Sequence, residues 1–218
     1  MTIHDFSQKN SLINQFISEL RDSEIQKDRM RFRKNIERIG EILSYEMSKL
    51  LDYKPVDVAT PLGKKQVNIP NCEIVLCSIL RAGIPLHNGI LNYFDQAENA
   101  FISAYRIQLE EPDTFKVEVD YLATPSLEGK TLVLVDPMLA TGRTLENVLH
   151  VLNQHGKPKQ IHIISIIGAQ PGIDLVASVF PKNTHLWIAA IDDALNEHGY
   201  IVPGLGDAGD LCYGPRLD

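Results

Sequence analysis

Five stretches of this chain are nearly uninterrupted runs of apolar, mostly β-branched residues: EIVLCSIL (73–80), AFISAYRI (100–107), TLVLVD (131–136), IHIISIIGA (161–169) and HLWIAAID (185–192). A strand that alternates apolar and polar residues has one face in water. A strand that is apolar at almost every position has to be covered on both faces, which is the pattern of a buried parallel sheet. Segments that suit helices lie between the runs, at 84–94, 143–155 and 172–179. Strand, helix and strand in succession make βαβ units. The fold class expected is therefore α/β, a mostly parallel central sheet flanked by helices.

Two regions depart from this rhythm. Residues 31–51 place Ile36, Ile39, Leu43, Met47, Leu50 and Leu51 at helical spacing, so 1–51 reads as an N-terminal helical extension. A basic cluster, Lys27, Arg29, Arg31, Arg33, Lys34 and Arg38, lies before and within it. It fits a solvated helix face, a subunit interface or an anion site. Residues 108–130 contain the alternating piece FKVEV among turn residues and read as a hairpin, an arm or a lid. No repeat or linker divides the chain, so a single domain of 1–218 is expected.

Composition narrows the function. A net charge of −7 argues against a nucleic-acid surface as the main business. The polar start MTIHDFSQKN lacks the apolar core of a signal peptide, and no run is long enough to span a bilayer. Three cysteines without a C-x-x-C pair suit a reducing compartment, so a cytoplasmic protein is expected.

The strongest local signal is TLVLVDPMLATGRTLENVLHVL (131–152). A buried strand ends at Asp136, a short loop follows, and a helix starts near Thr144 with Leu145, Val148, Leu149 and Leu152 on one face. Ala140, Thr141, Gly142, Arg143 and Thr144 then sit at a helix N-terminus, where outward N–H groups and the positive dipole end favour a phosphate. Thr141 and Thr144 add hydroxyls, and Asp136 could accept hydrogen bonds from sugar hydroxyls. An ordinary helix cap is the plainer reading of the same residues. Two further strands bring arginines toward the same edge, Arg81 after EIVLCSIL and Arg106 in AFISAYRI. Arginine forks suit phosphate oxygens, although surface ion pairs would also explain them.

GLGDAG (204–209) matches G-x-G-x-x-G literally, but only DLCYGPRLD follows it. That is too short for the helix, strand and ribose-binding acid of a dinucleotide unit. A flexible turn or a backbone wall that approaches a small ligand remains. There is no Walker loop, no G-x-S-x-G and no metal-binding histidine spacing.

These residues carry a resemblance. VLVDPMLATG resembles the phosphoribosyl pyrophosphate (PRPP) motif of type I phosphoribosyltransferases, in the form found in uracil phosphoribosyltransferases. LNEHGYIVPGLGDAGD (195–210) resembles the C-terminal signature of that family, and ILRAG (79–83), Tyr105–Arg106 and the stretch from Arg21 to Tyr45–Glu46 add to it. The resemblance implies a single type I phosphoribosyltransferase fold with a β-arm or lid at 108–130 and a base-recognising hood at 193–218. It implies that Asp136, Pro137, Met138, Leu139, Ala140, Thr141, Gly142, Arg143 and Thr144 hold PRPP, together with Arg81, Arg106 and Asp207. Tyr200, Ile201, Gly206, Asp207 and Ala208 would hold uracil. Asp136, Arg106 and Asp207 would be catalytic. The implied reaction is uracil plus PRPP giving UMP and pyrophosphate, with magnesium carried by PRPP rather than by a protein cage. A homodimer or higher even homo-oligomer is implied, with no nucleic-acid or membrane partner. A non-catalytic PRPP- or UMP-sensing regulator, and a transferase for another nucleobase, remain open. Arg143 and Thr144 stand where the family usually has two small residues, Ile107 stands where it often has aspartate, and DLCYGPRLD replaces its usual ending.

Overall fold

A computed structural model of the chain describes residues 1–108 and 115–216, with the backbone alone at 104–108 and 115–119. The chain opens with a short strand, β1 (Thr2–Asp5), followed by helices α1 (Leu12–Arg21) and α2 (Arg29–Ser48). A hairpin of β2 (Tyr53–Thr60) and β3 (Gly63–Pro70) comes next, then β4 (Ile74–Leu80), α3 (Gly83–Leu91), β5 (Glu98–Gln108) and β6 (Phe115–Ala123). The second half runs β7 (Thr131–Val135), β8 (Met138–Leu139), α4 (Arg143–Leu152), β9 (Gln160–Ala169), α5 (Gln170–Val179) and β10 (His185–Asp192). It closes with the two-residue strands β11 (Ala194–Leu195) and β12 (Ile201–Val202) and the short helix α6 (Ala208–Tyr213).

Among the described residues, eight strands form one sheet in the order β1-β10-β9-β7-β4-β5-β6, with β8 paired to β9. All these pairings are parallel except β5 with β6. Each of the five apolar runs lies on one of these parallel strands. Because side chains alternate across a strand, one sequence serves two cores. Leu76, Val133, Ile164 and Trp187 pack with Ile36, Ile39 and Leu43 of α2 and Leu86 of α3. Cys77, Leu134, Ile163 and Leu186 face the other way, against Leu145, Val148 and Leu152 of α4 and Ile173 and Val176 of α5. This explains why the runs lack polar alternation.

The segment 108–130 contains β6, which returns antiparallel to β5 with an irregularity between Ser103 and Ala104. Residues 109–114 of that expected arm or lid lie outside the described residues. Three elements are not announced by the strand–helix rhythm. The four-residue β1 adds to the sheet edge by pairing with β10 from Thr2↔His185 to Asp5↔Ile188. The β2–β3 hairpin stands off the sheet and is exposed at nearly every position, so no burial pattern marks it. By contrast α1 has a legible signature, with a Ser11/Asn14 capping box and Ile13, Ile17 and Leu20 buried on one face.

No helix among the described residues is long and apolar enough to cross a membrane. The basic cluster of 27–38 is largely partnered. Lys27 pairs with Glu24, Arg31 with Glu19 and Lys34 with Glu37. Arg33 donates to the Cys212 carbonyl at 2.6 Å and Arg38 to Asn35 at 3.2 Å. This favours the solvated, locally paired face over a bare cationic one.

Candidate active site

Strands β4 and β7 are parallel neighbours, with Ser78 opposite Val135. Their carboxyl ends therefore deliver Arg81 and Asp136 to the same edge of the sheet, where open α/β sheets bind ligands. A cleft of about 550 Å³ opens there. Leu80 at the end of β4 lines it with Arg81 and Ala82 just beyond, Asp136, Pro137, Met138 and Ala140 line it from the segment after β7 with Thr144 from the first turn of α4, and Gly199–Ile201 with Gly206–Gly209 line it from the C-terminal segment. Two parts of the sequence more than fifty positions apart thus form walls of one cavity.

The loop between β7 and α4 is shaped by its backbone. The Asp136 carboxylate accepts from the Met138 N–H at 3.2 Å. Met138 and Leu139 form β8, opposite Ile167 and Gly168 of β9. The Leu139 side chain is buried in the core, so only its main chain could serve a ligand. Gly142, at φ +78°, occupies the N-cap of α4, and no side chain caps that helix among the described residues. The Thr141 hydroxyl reaches the Arg143 N–H at 3.4 Å. A Thr or Asp cap of the usual kind is thus absent, and the first turn of α4 presents its dipole to the loop. Thr141 and Gly142 line a small recess that shares Asp136, Met138, Ala140 and Thr144 with the main cleft. The Arg143 side chain turns outward to Glu146 at 3.0 Å, leaving its backbone for the loop.

Helix α5 backs this loop at close quarters. A Cβ on Gly172 would lie 2.1 Å from the Ala140 carbonyl oxygen, and one on Gly142 would lie 2.7 Å from the Gly172 carbonyl oxygen. The two glycines let helix and loop interlock without side chains between them.

The opposite wall is the segment after β10. Strands β11 and β12 pair antiparallel, Ala194↔Val202 and Leu195↔Ile201. Gly206 has φ +91° and Asp207 caps α6 by accepting the Asp210 N–H at 3.0 Å. The stretch after Gly206, expected to be a loop, thus includes a six-residue helix, because Asp207 and Asp210 supply the cap that the glycine pattern conceals. GLGDAG follows β12, which pairs antiparallel with β11 and lies off the parallel sheet, so it does not open the βαβ unit of a dinucleotide site. Tyr200 is half exposed at the cleft, and Ile201 and Ala208 are buried against it.

Arg81 is held at the junction of the two walls, donating to Asp210 at 2.9 Å and to the Gly214 carbonyl at 3.3 Å. Arg106 lies on the part of β5 that extends past β4 and pairs only with β6. Its side chain lies outside the described residues. Arg216 lines the cleft. No motif marks it in the sequence, although an arginine so close to the glycine-rich GLGDAG stretch was a usable signal. Among the described residues, no three His, Cys, Asp or Glu side chains come together as a metal-holding group.

A model of the uracil phosphoribosyltransferase family matches residues 7–215. This chain belongs to the uracil phosphoribosyltransferase family. The uracil phosphoribosyltransferase of Porphyromonas gingivalis is 49% identical over 217 residues, covering 100% of each chain. That of Methanothermobacter thermautotrophicus is 40% identical over 189 residues, 86% of this chain and 85% of the relative. Among solved structures, the AQ2163 protein from Aquifex aeolicus superposes with a TM-score of 0.86 at 32% identity, covering 98% of both chains. A hypoxanthine phosphoribosyltransferase from Staphylococcus aureus matches at 14% identity with a TM-score of 0.50, over 75% of this chain and 76% of that one, and shows the shared fold alone. The central sheet with helices on both faces is thus the phosphoribosyltransferase fold that the motifs implied.

Proposed function

We propose that this uracil phosphoribosyltransferase family member transfers the phosphoribosyl group of PRPP to ring nitrogen 1 of uracil, releasing UMP and pyrophosphate. The observation that carries the reading is the single cleft walled on one side by the Asp136–Thr144 loop and on the other by the Gly199–Gly209 backbone. The first wall suits a phosphorylated sugar. The uncapped first turn of α4 and the Thr141 and Thr144 hydroxyls meet the 5′-phosphate. Asp136 accepts from the ribose hydroxyls and favours positive charge developing at the anomeric carbon.

The second wall suits a flat base. Main-chain groups of Ile201, Gly206, Asp207 and Ala208 offer donors and acceptors at fixed positions, with Tyr200 at the rim. Such an edge rejects cytosine, whose exocyclic amine is a donor where uracil has an acceptor. An unpaired group of that kind costs about 1–3 kcal/mol. Arg81 and Arg106 neutralise the leaving pyrophosphate, and binding requires Arg81 to exchange Asp210 for substrate oxygens. Magnesium, carried by PRPP, would draw most of its ligands from the substrate's own oxygens and from water. The uracil proton passes to Asp207, directly or through water. Catalysis then rests on orientation and preorganised charge.

As partner we propose a second copy of the chain. Val58, Leu62, Val67 and Ile69 expose apolar surface on the β2–β3 hairpin, which supports an even homo-oligomer. Sedimentation would test it. For the reaction, the protein is incubated with PRPP, magnesium and each nucleobase in turn while pyrophosphate is followed. Release with uracil alone is the expected result. Release with another base instead, or PRPP binding without release, would overturn the proposal.

A further inference from the structure

The base of the C-terminal wall is closed by two charged residues that do not line the cleft. Arg21, the last residue of α1, sets its fork on both oxygens of Asp192, at 2.8 and 2.6 Å. Asp192 is the last residue of β10, where the chain leaves the sheet. The same Arg21 Nη1 donates to the Gly204 carbonyl at 2.9 Å, and the Gly204 N–H donates to Asp192 Oδ2 at 3.0 Å. Both backbone groups of Gly204 are therefore held by this ion pair, and a loop of twelve positions is closed where it starts and where it returns.

The clamp reaches the cleft through the backbone. Gly204 has φ +62°, and a Cβ there would lie 2.2 Å from the Ile201 carbonyl oxygen, so only glycine lets the turn lie this close to a residue that lines the cleft. On the far side, the Arg21 carbonyl accepts from the Gln26 side chain at 3.2 Å, and Gln26 approaches within 3.9 Å of the Cβ position of Gly206. Asp192 is 7% exposed, so its charge is desolvated, and its carboxylate is held by the Arg21 fork and the Gly204 N–H. Removing one member of such a buried pair leaves the other uncompensated.

We propose that Arg21 and Asp192 are positioning residues for base recognition, fixing the Ile201–Gly206 backbone against the nucleobase through the Gly204 turn. This rests on the uracil reading of the cleft, because only a ligand read by main-chain groups would feel a shift of that wall without a change in any side chain it touches. A lysine at position 21 keeps the charge but cannot fork onto two carboxylate oxygens and a carbonyl together.

The test compares Arg21→Ala, Arg21→Lys and Asp192→Asn with the parent protein by hydrogen exchange and by steady-state kinetics. In all three, amides of 199–209 should exchange about tenfold faster or more while those of β4, β7 and β9 keep their protection. The KM for uracil should rise about tenfold or more with the KM for PRPP within about threefold, and Arg21→Lys should lie between Arg21→Ala and the parent. If Arg21→Ala does not fold, the milder two variants decide. Unchanged exchange at 199–209, exchange that rises equally in the sheet, or KM values that move together would each overturn the proposal. A parent protein that releases no pyrophosphate with uracil would sink the reaction proposed above, and the exchange result would still decide whether the clamp positions this wall.

Discussion

Replacing Gly172 with alanine should damage catalysis far more than stability. The new methyl would sit 2.1 Å from the Ala140 carbonyl oxygen and 3.1 Å from the Gly142 nitrogen. Real Cβ contacts do not fall below 3.0 Å, so helix α5 and the Asp136–Thr144 loop must separate by about 1 Å. Overpacking of this kind costs about 1–3 kcal/mol. Alanine gives back at most about 1 kcal/mol through better helix propensity. The net loss is thus roughly 0–3 kcal/mol, or a fall of at most about ten degrees in a thermal midpoint for a chain of this size. A 1 Å displacement of the loop proposed to hold PRPP, by contrast, should cost about 100-fold in rate. Pyrophosphate release with uracil and varied PRPP would measure kcat/KM, and calorimetry would measure the midpoint. A variant that keeps kcat/KM for PRPP within about threefold, with a midpoint near that of the parent, would refute the claim that the Gly142–Gly172 contact sets the loop.

Three further outcomes follow from other parts of the molecule. Asp136→Asn should reduce turnover by about tenfold or more while far-UV circular dichroism stays the same, since its carboxylate, and not its packing, is what the cleft would use; unchanged kinetics would remove Asp136 from the reaction. His162 is buried beside His185 and His4, which pushes its pKa down from 6.5 to about 3, and its Nδ1 accepts from the Trp187 indole N–H at 3.1 Å. Between those two pH values the unfolded chain binds a proton that the folded one refuses, so stability is lost as pH falls from 6.5 toward 3, by up to about 1.4 kcal/mol per unit. Thermal midpoints followed by the fluorescence of the single tryptophan should show this decline, and a His162→Gln variant with the same slope would refute its assignment. Burial pushes the Cys77 and Cys212 thiols up to about 12, so at pH 8 a thiol reagent should modify at most the half-buried Cys72 promptly and all three only in denaturant.

The parallel sheet was legible because burial on both faces leaves a compositional trace. HLWIAAID coincides with β10, and TLVLVD overruns β7 by the single residue Asp136. The loop before α4 was legible for the same reason, since its strand and its helix are both strongly patterned. The β2–β3 hairpin left no trace because solvent, which asks for no pattern, covers it. The short helix after Gly206 was hidden by the glycines around it, although Asp207 and Asp210 mark its start. Nor could the sequence place Arg21 beside Asp192. Their meeting depends on α1 lying along the end of β10, a tertiary fact with no local signature.

The strand order also dictates when the molecule can become whole. His4 on β1 touches His185 on β10 across 181 positions, and Arg21 meets Asp192 across 171. As the polypeptide leaves the ribosome, α1 can pack on α2 at once through Glu19 and Arg31, but strand β1 and the Arg21 fork must wait until β10 has emerged. Contacts so remote in sequence are slow to form, and an early segment kept waiting is open to capture by chaperones or by neighbouring nascent chains.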